Sequence, residues 1–248
     1  MPRYAREKSE SGIYHVMLRG INRQIIFEDD EDCEKYLHCL RDCKAVSGFV
    51  LYAYCLMGNH IHLLIKEVKE PLELIFKRIG ARYVFWYNWK YKRSGHLFQD
   101  RYRSEPIKDD SQFIAVLRYI YQNPVKAKIC ERPEDYRWSS YRYLGLSNPL
   151  IDNSEINEIV NTEQLRKFIC ETTDETFIDL KPETRWTDRE AVELMKELSG
   201  MENMNQFLKI PSEKQGGYVN ALYKKGCSIR QLVRITGLTK ARIEKMLS

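Results

Sequence analysis

Two histidines one residue apart, His60 and His62, and a tyrosine four residues before an asparagine, Tyr119 and Asn123, are the side chains of this 248-residue protein whose types and spacing can do chemistry. Successive side chains on a strand alternate between faces, so His60 and His62 point the same way. Residues four apart on a helix stack, so Tyr119 lies beside Asn123. Two neutral imidazoles and an amide carbonyl form a three-point cradle for a divalent cation, and a phenol next to them can attack phosphorus. The combination predicts a metal-assisted, tyrosine-dependent nucleic-acid nuclease.

The elements that must hold these residues follow from local pattern. Leu51 to Leu56 reads as a strand, Met57-Gly58-Asn59 as a tight turn and His60 to Lys66 as the returning strand. Ile61, Leu63 and Ile65 anchor that strand in a core, while His60, His62 and Leu64 share the other face, where the histidines look out. From Ser111 to Asn123 a helix is expected, with Phe113, Ile114, Val116, Leu117 and Ile120 as its apolar stripe and Asp109 or Asp110 as its N-cap. Pro124 should end it and leave Asn123 in or just past the last turn. Tyr121 competes for the nucleophile's role, but four residues beyond it stands Val125. Tyr119 is therefore the candidate, and Tyr121 reads as a core ring with its hydroxyl bonded.

H-I-H after M-G-N, then L-R-Y-I-Y-Q-N-P-V-K-A-K-I, then W-S-S-Y-R-Y, resemble the single-tyrosine HUH transposases, and within them the REP-associated tyrosine transposase branch. Y-H-V-M-L-R-G-I-N-R-Q-I-I-F near the start and the stretch His96 to Ser104 are similar to that branch in content and order. The resemblance spans roughly the first six-tenths of the chain. It implies that His60 and His62 are paired metal-binding histidines, Asn123 the third ligand and Tyr119 the nucleophile. It further implies a 5′-phosphotyrosine intermediate, a free 3′ hydroxyl, and single-stranded DNA bearing a hairpin as substrate. The residue chemistry agrees: a held cation polarises a scissile phosphate, and a phenol of ordinary pKa near ~10 is a weak nucleophile but a good leaving group, so strand transfer is reversible. Two imidazoles and one amide suit magnesium or manganese above zinc.

Strands from Ile13, Phe49 and His60, helices from Asp30 and Pro71, and an extended Arg101 to Ile107 before the tyrosine helix predict an α+β, ferredoxin-like domain. Its antiparallel sheet is expected to be covered on one face, with the histidines on the open one. Hydrophobic residues make up 43% of the chain and mean hydropathy is -0.53, with no apolar run long enough to cross a bilayer. A soluble protein without membrane association is expected. The start, Met1-Pro2-Arg3-Tyr4, lacks a secretory apolar region, and seven cysteines without a C-x-x-C pair read as reduced cytoplasmic thiols. Cys33, Cys39 and Cys43 read as core thiols rather than as a structural zinc site.

The net charge of +5 is unevenly spread: residues 1–147 are basic, 148–206 acidic, and 207–248 basic, with nine Lys and Arg against two Asp and Glu in the last block. This divides the chain into a nuclease domain (1–147), an acidic helical spacer (148–206) and a terminal DNA-binding domain (207–248). Spacer helices are expected over Ser154–Asn161, Thr162–Thr172 and Thr187–Ser199. Between Lys77 and Arg93 charges alternate with rings; Phe85, Trp86 and Trp89 read as aromatics packed on the sheet, and Arg82, Arg101 and Arg103 as contacts to DNA. Near the end, Tyr218–Lys225 is a helix, Ser228 caps Ile229–Thr236, Gly237 turns the chain and Thr239 caps Lys240–Leu247. This resembles the helix-turn-helix at the end of replication-initiator proteins and implies a grip on duplex DNA through Lys240, Arg242 and Lys245. A hairpin-binding regulator that does not cut, and an RNA-processing nuclease that uses a substrate 2′ hydroxyl, are the competing readings. Monomer and homodimer are both compatible with the sequence.

Overall fold

The computed structural model describes residues 7–99, 101–171, 177, 188–201 and 204–247. Strands β1 (Ile13–Arg19), β2 (Val50–Met57), β3 (His60–Lys66) and β4 (Arg103–Pro106) form one antiparallel sheet in the order β2-β3-β1-β4. Helix α1 (Asp30–Ser47) joins β1 to β2, and α2 (Leu72–Lys90) joins β3 to β4. This is the ferredoxin-like order expected from the sequence. Asp29 caps α1 in a reciprocal capping box with Asp32, and Gly48 closes it in the left-handed conformation at φ 65°.

Both faces of the sheet are covered, which corrects the expectation of an open face. The reason is visible in β2, Val-Leu-Tyr-Ala-Tyr-Cys-Leu-Met, where apolar residues run without alternation and demand cover on both sides. Val16, Leu18, Leu56, Ile61 and Leu63 pack beneath α1 and α2, while Ala53, Cys55, Met57 and Leu64 pack beneath α3 (Asp110–Lys126). An irregularity between Leu51 and Ala53 turns Tyr52 toward the α3 layer. Cys33, Cys39 and Cys43 are buried free thiols of the α1 layer, as expected.

Helix α2 buries Leu72, Ile75, Phe76, Ile79, Tyr83 and Tyr87. That stripe turns Phe85 and Trp89 outward, 78% and 73% exposed, so only Trp86 of the three rings expected on the sheet packs against the core. Among the charges of α2, Lys90 meets Asp29, Glu31 and Asp32, and Arg78 meets Glu70.

Asp109 caps α3 by accepting from the Gln112 N–H at 2.7 Å. Pro124 does not end this helix; it sits inside, and the helix continues to Lys126. A proline in a helix interior costs about 3 kcal/mol, whereas Phe113, Val116, Leu117 and Ile120, all buried here, contribute about 1.5–3 kcal/mol each. Packing therefore outweighs the lost hydrogen bond, and Asn123 is a helical, buried residue.

The W-S-S-Y segment borders β2: the Leu56 N–H donates to the Trp138 carbonyl at 2.9 Å and the Tyr54 N–H to Ser140 Oγ at 2.8 Å. It shields an otherwise unpaired strand edge.

The chain divides into two compact units, 1–179 and 180–248. Helices α4 (Ser154–Ile159) and α5 (Thr162–Cys170), assigned from sequence to a spacer, belong to the first unit, because Ile156, Leu165 and Ile169 are buried in the α3 layer. The second unit contains α6 (Asp188–Ser199), α7 (Met204–Phe207), α8 (Ser212–Lys224), α9 (Ile229–Thr236) and α10 (Lys240–Leu247) around their own core. Ser228 caps α9 and Gly237 turns the chain at φ 71°. Thr172 and Thr187, expected at helix ends, lie outside the described residues. No described helix is long and apolar enough to cross a membrane.

Candidate active site

Strand register assembles the site. β3 and β1 pair His60 with Arg19 and His62 with Met17, and β1 pairs Met17 with Arg103 of β4. Directly opposed residues share a face. His60, His62, Arg19, Met17, His15 and Arg103 therefore all belong to the face on which α3 packs. The two-residue turn Gly58-Asn59 fixes the start of β3, and it is bonded from outside by the Gly20 N–H to the Asn59 carbonyl at 2.9 Å and the Ile26 N–H to the Gly58 carbonyl at 2.8 Å.

His62 does not look out to solvent, because α3 lies over it: His62 is 1% exposed and the neighbouring His15 fully buried, while His60 at the start of β3 is half-buried. His62 Nδ1 and His15 Nε2 share a hydrogen bond of 3.0 Å, with the rings stacked 5.2 Å apart. Burial pushes His15 down to about 3 and holds His62 well below the usual histidine range, with repulsion from His15 and His60 adding to the latter shift. Both are neutral near pH 7, the state in which an imidazole can accept a cation. His60 Nδ1 donates to Asn59 Oδ1 at 2.7 Å, so in the neutral ring Nε2 carries the lone pair. The His60 and His62 rings are 5.1 Å apart and perpendicular.

Tyr119 comes down from α3 onto this face. Its ring lies 5.6 Å from that of His62 and 5.7 Å from that of His15, edge-on to both, with Phe177 at 5.3 Å and the Lys126 ammonium 5.2 Å from the ring centre. Asn123, one turn along, donates from Nδ2 to the Tyr119 carbonyl at 3.1 Å. His60, His62 and Tyr119 thus form a continuous chain of ring contacts, to which Asn123 is joined through the Tyr119 backbone. Tyr121 is turned away, fully buried against Tyr141, with the Ser140 hydroxyl donating to its oxygen at 3.2 Å. It is the core ring its spacing suggested.

The basic candidates separate. Arg103 is exposed on the edge strand of the histidine face. Arg101 is exposed and paired with Glu73 at 3.1 Å. Arg82 lies on α2, in the opposite layer, paired with Asp42 at 3.1 Å, so it is not brought to the histidines. Lys240, Arg242 and Lys245 stand on α10 of the second unit; Lys240 meets Glu244 at 3.4 Å, and Arg242 donates to Gln215 at 3.0 Å. Spacing in the hairpin did not reveal His15, Arg19 or Lys126. Alternation along β1 would have found the first two, since His15, Met17 and Arg19 share a face, and two helical turns separate Tyr119 from Lys126.

A ferredoxin-like sheet with a histidine-bearing face, closed by a tyrosine-bearing helix, defines the class of domain. Residues 8–123 match the IS200-like transposases, so this part of the chain is similar to that family. A Haemophilus influenzae protein, provisionally assigned as a REP-associated tyrosine transposase, is 28% identical over 153 residues, covering 57% of this chain and 86% of the relative. A solved REP-associated tyrosine transposase bound to a REP hairpin shares the fold with a TM-score of 0.52 at 16% identity, covering 72% of this chain and all of that one.

Proposed function

We propose that this protein is a transposase-like enzyme that cuts and rejoins single-stranded DNA beside a hairpin through a 5′-phosphotyrosine at Tyr119, with His60, His62 and Asn123 holding magnesium or manganese. The observation that carries the reading is the delivery of Tyr119 by α3 onto the His62 ring, on a rigid sheet face that also bears His60. The transposase family and the hairpin-bound relative of the same fold support DNA hairpins as the substrate class.

The donor set fits a hard divalent cation. Each of the two imidazoles has Nδ1 engaged, by Asn59 and by His15, which supports Nε2 as the ligating atom. Among the described residues no group of three or more His, Cys, Asp or Glu could hold a metal ion. The remaining ligands are then the Asn123 carbonyl, water and phosphate oxygens, a set that suits magnesium or manganese. Such a cation supplies charge stabilisation to the pentacoordinate phosphorus.

Tyr119 Oη bonds to phosphorus as the bond from phosphorus to the 3′ oxygen breaks; the phenol loses its proton and the 3′ oxygen gains one. Attack of a 3′ hydroxyl on the phosphotyrosine reverses the exchange, so rejoining needs no nucleotide cofactor. The Lys126 ammonium beside the Tyr119 ring favours the phenolate that departs in that step. Arg19, opposite His60, and Arg103, on the edge strand, are suited to hold flanking phosphates. On the second unit, Lys240, Arg242 and Lys245 are assigned to neighbouring duplex DNA, as a helix-turn-helix would use them.

A second reading rests on burial: Tyr119 and His62 are each 1% exposed, which suits a protein that binds hairpins without cutting them. Incubating the full chain with manganese and an end-labelled DNA hairpin carrying single-stranded flanks separates the readings. Cleavage lost in Tyr119→Phe supports the enzyme. Tight binding without cleavage across a varied hairpin pool supports the regulator, and cleavage only of strands with a 2′ hydroxyl supports a ribonuclease.

A further inference from the structure

Two fully buried imidazoles in direct contact are costly, and the active-site chemistry above uses only one of them. His62 has its place as a cation ligand; His15, on the neighbouring strand, reaches neither the cation position nor the solvent through its bonded nitrogen. We propose that His15 is a positioning residue for His62: its Nε2 accepts the His62 Nδ1–H and so holds His62 in the tautomer whose Nε2 can ligate a cation. The inference rests on the reading of His62 as a ligand and assigns the group that prepares it.

The hydrogen bond of 3.0 Å between His15 Nε2 and His62 Nδ1 admits two proton arrangements. If His15 donates, His62 carries its proton on Nε2 and cannot coordinate through that atom. If His62 donates, its Nε2 has a lone pair and the proton of His15 sits on Nδ1. The second arrangement needs an acceptor near His15 Nδ1, which is buried with no hydrogen-bond partner among the described residues. Register supplies a candidate: Glu105 of β4 stands directly opposite His15 on the same face. No hydrogen bond joins that carboxyl to His15 Nδ1; the choice between the two arrangements follows instead from the ligand reading of His62, which needs the lone pair on its Nε2. His15 also stacks on His62 at an interplanar angle of 29°, which fixes ring orientation as well as tautomer. Its contact with the Tyr119 ring at 5.7 Å makes it the side chain against which both ligand and nucleophile are set.

The test uses the full chain without DNA. Histidine ring nitrogens are assigned by NMR in the metal-free protein, and binding of Mn²⁺ alone is titrated by paramagnetic resonance for wild type, His15→Phe, His15→Gln and His60→Ala. The expected result is a proton on His62 Nδ1 in the wild type and Mn²⁺ binding abolished by His60→Ala. His15→Phe should bind Mn²⁺ about 10–100-fold more weakly. His15→Gln, whose amide oxygen can accept the same bond, should recover most of the loss, and equal melting temperatures of the two His15 variants would separate positioning from folding. Equal Mn²⁺ affinity in wild type and His15→Phe, or a proton on His62 Nε2 in the wild type, overturns the proposal. Absence of Mn²⁺ binding in the wild type, with His62 still protonated at Nδ1, overturns the cation reading while supporting the hydrogen-bond assignment.

Discussion

Acid should weaken the fold of the first unit through His15, and the size of the effect can be worked from its burial. In the unfolded chain a histidine titrates near ~6.5; in the folded protein burial holds His15 at about 3. The folded state therefore favours the neutral ring. The stability this represents is fully present above the unfolded value and is lost as pH falls from there toward 3. At pH 5 the unfolded chain has taken up the proton and the folded protein has not, over about 1.5 pH units at about 1.4 kcal/mol each, or about 2 kcal/mol. Burial of His62 acts with the same sign. The assay is urea unfolding at pH 7.5 and pH 5.0, with chelator present, for wild type and His15→Phe. With a slope of about 2 kcal/mol per molar urea, the wild-type midpoint should fall about 1 M further than that of the variant. Equal pH dependence in the two proteins would refute a neutral, buried His15.

Gly20, just past β1, should not tolerate a side chain: a Cβ there would meet the Gln24 carbonyl oxygen at 2.2 Å and Ile26 Cγ2 at 2.9 Å. Gly20→Ala is expected to cost about 1–3 kcal/mol, read as a lower melting temperature; an unchanged melting temperature would show that the turn yields. In the second unit, Lys240→Ala and Lys245→Ala should each lower the salt dependence of duplex binding by about 0.9 in log–log slope. Arg242→Ala should also lower stability, because Arg242 is bonded to buried Gln215, which in turn bonds the Phe207 carbonyl at 3.0 Å. Salt slopes unchanged in both lysine variants would remove α10 from the DNA interface.

The hairpin bearing the histidines was legible because its pattern is local: a two-residue turn and strict alternation set His60 and His62 on one face. The α3 stripe was legible for the same reason. What was not legible lies in how layers stack. His62 was expected at a surface together with His60, and its burial follows from α3 covering a sheet whose β2 has no polar face. Pro124 was read as a stop, since local rules carry no information about the four apolar side chains that hold the helix on past it. Phe85 and Trp89 were read as packed rings, yet Tyr83 and Tyr87 take the buried stripe of α2, with the Tyr83 hydroxyl donating to the Ile26 carbonyl at 2.5 Å. Charge blocks divided the chain near residue 147, whereas α4 and α5 return their few apolar residues to the α3 layer, and the compact unit runs on to 179.

The central claim is that Tyr119 becomes covalently linked to DNA. The most direct measurement incubates the full chain with manganese and a hairpin strand with single-stranded flanks, isolates any protein–DNA adduct on a denaturing gel, and maps the modified peptide by mass spectrometry. The account predicts a 5′-phosphate on Tyr119, lost in Tyr119→Phe and retained in Tyr121→Phe. An adduct mapped to Tyr121 or any other residue, or cleavage that persists in Tyr119→Phe, would contradict it.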